Sequence, residues 1–123
     1  MDVTYHPIGV VASPVKELLH PLEIRAVPAR LVLEPRFAPA VAALAVGQEL
    51  VVIYHLHRIE PWDDTDMATL FVRRKPCRPN PIGVTRVRVI ALEGSTITVE
   101  GLDAVDATPV LDIKPLTRSR SAG

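Results

Sequence analysis

Val84-Thr-Arg-Val-Arg-Val-Ile-Ala-Leu-Glu-Gly-Ser-Thr-Ile-Thr-Val-Glu-Gly-Leu102 decides the fold. Two runs rich in β-branched residues, Val84–Leu92 and Thr96–Leu102, flank Glu93-Gly94-Ser95, a compact hairpin signal. Upstream, Glu49–Ile59 (ELVVIYHLHRI) has the same character and no proline or glycine, so it reads as the strongest strand. Arg30–Glu34 alternates and reads as another strand. Val3–Ala12 is a further candidate, placed at an edge because Pro7 cannot donate to a ladder. Met67–Arg73 reads as a strand, with Phe71 in the core, and Val110–Ile113 reads as a short last one. Only Phe37–Leu44, rich in alanine and stopped by Gly47, reads as a helix of one or two turns. Successive short strands without crossover helices predict an all-β fold: a small antiparallel β-barrel, closed or half-closed, with one short helix.

Composition agrees. The 123 residues form one domain, expected over 1–116, with 117–123 a polar tail. The chain holds 12 prolines, which disfavour long helices, while 48% apolar residues disfavour disorder. No apolar run is long enough for a membrane span and no signal peptide is visible, so a cytoplasmic location is expected. Cys77, alone, excludes an internal disulfide framework and a multi-cysteine zinc site. His55 and His57 share one strand face but lack a third ligand at metal spacing, so no metal is expected.

Fourteen basic and fourteen acidic residues cancel, which excludes a polycation that holds nucleic acid by bulk charge. The distribution is uneven, however. Glu60, Asp63, Asp64 and Asp66 fall in one loop, and Arg73, Arg74, Lys75, Arg78, Arg86 and Arg88 follow with no acid between Met67 and Leu92. Such an arginine-biased patch suits phosphate or carboxylate, and equally suits a solvated face balanced by the acidic loop.

Two proline-framed segments carry the remaining signal. In Arg78-Pro-Asn-Pro-Ile-Gly83, Pro79 and Pro81 restrict Asn80 on both sides, so its amide has few directions to point. A side chain oriented in advance loses less entropy on binding, although a rigid barrel corner needs the same residues. The second segment, Leu102–Pro115 (LDAVDATPVLDIKP), holds Asp103, Asp106 and Asp112 with Lys114. Asp106 and Thr108 before Pro109 form a side-chain-bonded turn, and Asp112 and Lys114 share a strand face. Either they accept a ligand's hydroxyls or amines, or they are turn chemistry and a surface ion pair.

FVRRKPCRPNPIGVTRVRV and GLDAVDATPVLDIKPL resemble the TsaA/TrmO family of S-adenosylmethionine-dependent tRNA methyltransferases. HPIGVVASPVK is similar to that family's opening and VVIYHLHR to its central strand, so the likeness spans most of the chain. Ala68-Thr-Leu-Phe-Val-Arg-Arg74 stands where the family usually has Gly-x-Phe-Ala-Thr-Arg, and Ala107 stands where a glycine is usual.

The resemblance implies a small β-barrel that works as a homodimer, binds S-adenosylmethionine and methylates N6 of a modified adenosine next to a tRNA anticodon. By position it assigns the cofactor to His57, Arg58, Arg74, Val84, Asp106, Ala107, Thr108 and Pro109, with Arg74 expected at its carboxylate or a nearby anionic group. Asn80, Arg78, Asp112 and Lys114 are expected to place the acceptor, and Arg73, Lys75, Arg86 and Arg88 to meet RNA phosphates. A small-molecule methyltransferase on the same scaffold, or a non-catalytic module that binds S-adenosylmethionine or RNA, remains an alternative.

Overall fold

The computed structural model describes residues 1–16, 24, 26–60, 62, 67–72, 76 and 78–116. Six strands appear in chain order: β1 (Gly9–Ala12), β2 (Ala29–Leu33), β3 (Glu49–His55), β4 (Ile82–Glu93), β5 (Thr96–Glu100) and β6 (Pro109–Pro115). A one-turn 3-10 segment, Pro35–Phe37, leads into the short helix α1 (Ala38–Ala42) between β2 and β3. The strands close into an antiparallel barrel in the order β1-β2-β5-β4-β3-β6, as the short-strand pattern predicts.

The β4–β5 hairpin turns at Gly94, whose φ of 59° a side-chain-bearing residue resists. Alternation fills the barrel: Leu50, Val52 and Tyr54 of β3 and Val87 and Val89 of β4 point inward and are buried with Leu31, Ile97, Val99 and Val110. Val41 of α1 is buried against the same core, with Phe37 and Leu44 packed beside it, and this segment covers one end of the barrel. The opposite end is where β1, β3 and β5 finish and β2, β4 and β6 begin.

Several expectations are corrected. The first strand is only Gly9–Ala12 rather than Val3–Ala12, because Pro7 offers no donor and ladder bonding starts at Ile8, whose N–H reaches the Val110 carbonyl at 2.8 Å. Nor is it an edge, since it pairs with β2 on one side and β6 on the other. The central strand stops at His55, where its partner β4 begins at Ile82, and Leu56–Ile59 continues as a turn-rich connection. Of the predicted strand Met67–Arg73, the described part, Met67–Val72, is not a strand: Met67–Thr69 is a 3-10 turn, and Phe71 is 87% exposed rather than in the core. A closed barrel has no vacant edge to pair with this apolar run. The last strand extends to Pro115, beyond the predicted Ile113. The polar tail 117–123, Cys77 and most of the acidic loop lie outside the described residues.

A bulge in the β3–β6 pairing decides where two predicted site residues go. Tyr54 pairs with Val110, but Ile53 pairs with Asp112, so Leu111 is an extra residue. One inserted residue reverses which face the following side chains take. Ile113, opposite the inward Val52, packs on the core, and Asp112 and Lys114 are left on the outer face.

Candidate functional site

The barrel end opposite α1 holds a cleft of about 490 Å³, within the usual size range of small-molecule sites. Tyr54 ends the inward row of β3 and forms its floor with Thr85 of β4. The Tyr54 hydroxyl lies 2.6 Å from Thr85 Oγ1 and donates to the Asp103 carbonyl at 2.7 Å, so the Thr85 hydroxyl donates to Tyr54. This chain of hydrogen bonds lets buried hydroxyls remain satisfied beneath an otherwise apolar surface. Ala104 and Val105, from the segment between β5 and β6, add apolar walls. Gly83 fits against the Tyr54 ring where a Cβ would lie 2.2 Å from Cε2.

The rim is polar. His57, Arg58 and Arg78 line it together with Asp103. Arg58 donates through Nη1 to the Lys16 carbonyl, tying the connection after β3 to the one after β1. Arg78 donates to the Leu70 carbonyl at 2.9 Å and so pins the turn that follows Met67–Thr69. The Pro81 carbonyl accepts from Leu56 N–H at 2.8 Å, anchoring the proline-rich loop to the end of β3. Loss of hydration lowers the pKa of His57 below the ordinary His value, with the charges of Arg58 and His55 adding to the effect.

Of the residues singled out in the sequence, His57, Arg58, Arg78, Val84 and Thr108 line this one cleft, drawn from four separate segments. Asp106, Ala107 and Pro109 do not line it; they build the turn that presents Thr108. Asp106 accepts from Ser13 N–H at 2.9 Å and from Lys16 Nζ at 2.8 Å. Ala107 sits at φ 68°, a conformation that glycine adopts without strain. Thr108 is buried, and its hydroxyl donates to the Val105 carbonyl at 2.7 Å. Asn80 is exposed beside the loop, with its backbone carbonyl accepting from Ile82 N–H at 2.8 Å.

Asp112 and Lys114 pair with each other at 2.9 Å on the outer face and do not line the cleft. Asp112 stands two strands across from Val84, through Ile53, or roughly 10 Å at ordinary strand spacing. Arg86 and Arg88 also project outward from β4, and Arg88 is answered by Glu100 at 3.8 Å. Arg73, Arg74 and Lys75 lie outside the described residues. Thr85, Ala104 and Val105 are among the lining residues that the sequence reading did not assign to a site: alternation marks Thr85 only as an inward strand position, and Ala104 and Val105 are small apolar residues between two strands.

The Asp106 ion pair gives a pH test. Hydrogen bonds from Lys16 and from the Ser13 N–H hold this carboxyl below its ordinary value of 3.8. A depressed folded value means that the stabilisation is present above the unfolded pKa and is lost as pH falls through the folded one. Asp106→Asn keeps an acceptor for Ser13 but loses the Lys16 charge pair. The variant is expected to melt below the wild type at neutral pH, with the gap closing in acid. Thermal melts from pH 7 down to about pH 2 check this, and an undiminished gap in acid assigns the effect to packing instead.

The family model of the tRNA-methyltransferase O N-terminal domain matches residues 19–120. A probable S-adenosyl-L-methionine-binding protein of Pyrococcus abyssi is 32% identical over 124 residues, covering 92% of this chain and 67% of that protein. A mouse (Mus musculus) tRNA (adenine(37)-N6)-methyltransferase is 48% identical over 46 residues, 37% of this chain and 11% of that one. The crystal structure of TrmO from Pseudomonas aeruginosa superposes with a TM-score of 0.78 at 30% identity, over 95% of this chain. This chain spans 57% of that TrmO chain.

Proposed function

The chain belongs to the tRNA-methyltransferase O N-terminal domain family, and from that premise we propose that it transfers a methyl group from S-adenosylmethionine to N6 of an adenosine in tRNA. The finer assignment we make is the modified adenosine next to the anticodon. One observation carries the proposal: Arg78 and Gly83 of the proline-framed loop and Thr108 of the Asp106–Pro109 turn line a single cleft with an apolar floor and a charged rim.

The residues present suit such a cofactor. Ala104, Val105 and the Tyr54 ring offer apolar surface for an adenine, the guanidiniums of Arg58 and Arg78 offer donors for a carboxylate, and Asp103 offers an acceptor for an ammonium or ribose hydroxyl. His57, Val84 and Thr108 complete the pocket, and Arg74 is proposed as a further partner of the carboxylate. When bound, S-adenosylmethionine supplies an already activated methyl group. The protein's task is then alignment and exclusion of water, which accounts for the lack of a nucleophile–base pair in the sequence. An adenine amine loses its proton after the new bond forms, so no strong base is required beforehand.

Arg78 and Asn80 are proposed to place the acceptor, and Arg73, Lys75 and Arg86 to contact phosphates, giving affinity that falls with salt. Arg88, already paired with Glu100, is the weaker candidate for that role. Asp112 and Lys114 are also proposed to help place the acceptor, from the outer face rather than from this cleft. The homodimer itself is part of the proposal: Ile82 and Val84 are 45% and 62% exposed, adjacent on the outer face of β4 and on the cleft rim. Sedimentation of the purified chain checks it. We place this activity in the cytoplasm. Among the described residues no helix is long and apolar enough to cross a membrane, and no cluster of three or more metal-ligating side chains occurs.

Titration calorimetry with S-adenosylmethionine is the direct test. Wild type is expected to bind and to gain thermal stability with cofactor concentration. Arg58→Ala is expected to bind roughly tenfold more weakly, the value of one charge-assisted hydrogen bond. Methyl label from the cofactor should then enter tRNA and not a metabolite pool. Absence of both heat and thermal stabilisation at millimolar cofactor overturns the proposal.

A further inference from the structure

Phe71 is a ring held out in solvent by a backbone that is held in place. It is 87% exposed, its neighbour Val72 is 81% exposed and Met67, on the same turn, is 57% exposed. Yet the turn is well tied. Leu70 is buried at 3% exposure, its N–H reaches the Met67 carbonyl at 3.2 Å, and Val72 N–H reaches the Thr69 carbonyl at 3.1 Å. Arg78, a cleft-lining residue, donates to the Leu70 carbonyl at 2.9 Å. The exposed ring therefore stands one residue from a carbonyl bonded to the cleft wall. The chain has two phenylalanines, and the other, Phe37, packs on the core with the Arg36 guanidinium 4.7 Å above its ring.

We infer that Phe71 is a substrate-binding residue on which an unpaired base of RNA stacks as the acceptor adenosine enters the cleft. The inference rests on the methyl-transfer reading above and adds a contact that reading does not contain. Sequence-tolerant recognition of unpaired RNA combines an aromatic face with nearby positive charge. Both are here: Arg58 and Arg78 line the cleft, and Arg78 reaches the carbonyl of Leu70, the residue before the ring.

The test uses the full chain and a stem–loop RNA with an unpaired adenosine-containing loop. In a Trp62→Phe background, Phe71→Trp is expected to keep wild-type RNA affinity and to show fluorescence quenching as RNA is added. Phe71→Ala is expected to weaken RNA binding by roughly tenfold to a hundredfold, the range of one lost base stack. Its S-adenosylmethionine titration should match wild type, which excludes a merely misfolded variant. If wild type binds the RNA and Phe71→Ala binds it equally well, the inference falls while the methyl-transfer reading stands. If Phe71→Ala instead dissociates a dimer with RNA affinity unchanged, the ring is a contact between copies and the inference falls. If wild type binds cofactor but no RNA at any salt concentration, the tRNA substrate is wrong and the inference falls with it.

Discussion

Gly9→Ala is expected to lower the stability of the barrel by about 3 kcal/mol or more, a fall in Tm of roughly 10 °C or beyond. A Cβ at residue 9 would lie 2.4 Å from the Val32 carbonyl oxygen and 2.7 Å from the Leu33 Cα. Both are backbone atoms, so no rotamer change relieves the clash. β1 and β2 must move apart, although Gly9 is in register with Leu33 on one side and Val110 on the other. With only four residues, β1 has little ladder to sacrifice. Gly94→Ala makes the control: nothing lies within 4 Å of the added methyl, and the strain comes from φ alone. That variant should lose only about 1 kcal/mol. Thermal melts of the two variants decide the matter, and equal losses would mean that the interstrand contact is not the cause.

Gly83→Ala is expected to cost about 2–3 kcal/mol and to distort the cleft floor. The new Cβ would lie 2.2, 2.5 and 2.8 Å from Cε2, Cζ and Cδ2 of Tyr54. The ring cannot swing aside cheaply. It is 3% exposed, and its hydroxyl bonds both Thr85 and the Asp103 carbonyl. Displacing it leaves buried polar groups without partners, at about 1–3 kcal/mol each. A double-mutant cycle isolates the contact: in a Tyr54→Ala background, Gly83→Ala should cost less than about 1 kcal/mol. The same loss in both backgrounds would show that the ring is not what requires glycine here.

Much of this architecture was legible because barrel strands advertise themselves locally. The hairpin at Gly94, the inward row Leu50, Val52 and Tyr54, and the alanine-rich turns before Gly47 all follow from residue type and period. The apolar run from Met67 misled, because residue preference says nothing about whether a sheet edge is free to receive a strand. Site residues divided in the same way. Stiff turns are visible in sequence, which is how Arg78 and Thr108 were found. Asp112 and Lys114 were correctly placed on one face, but the bulge opposite Ile53 turned that face outward, and no local signal encodes a one-residue insertion in a ladder. Tyr54 and Thr85 are indistinguishable from ordinary core by alternation; only barrel closure shows that they meet at the end that holds the cleft.

The meeting of β1 with β6 has a consequence for how the molecule is made. Gly9 pairs with Val110, and Val10 with Pro109, across about a hundred residues of intervening chain. A nascent polypeptide can form the β4–β5 hairpin as soon as Glu100 emerges from the ribosome, but the ring cannot shut until residue 110 has followed. Until then β1 can pair only with β2, and closure of the barrel waits on the arrival of β6.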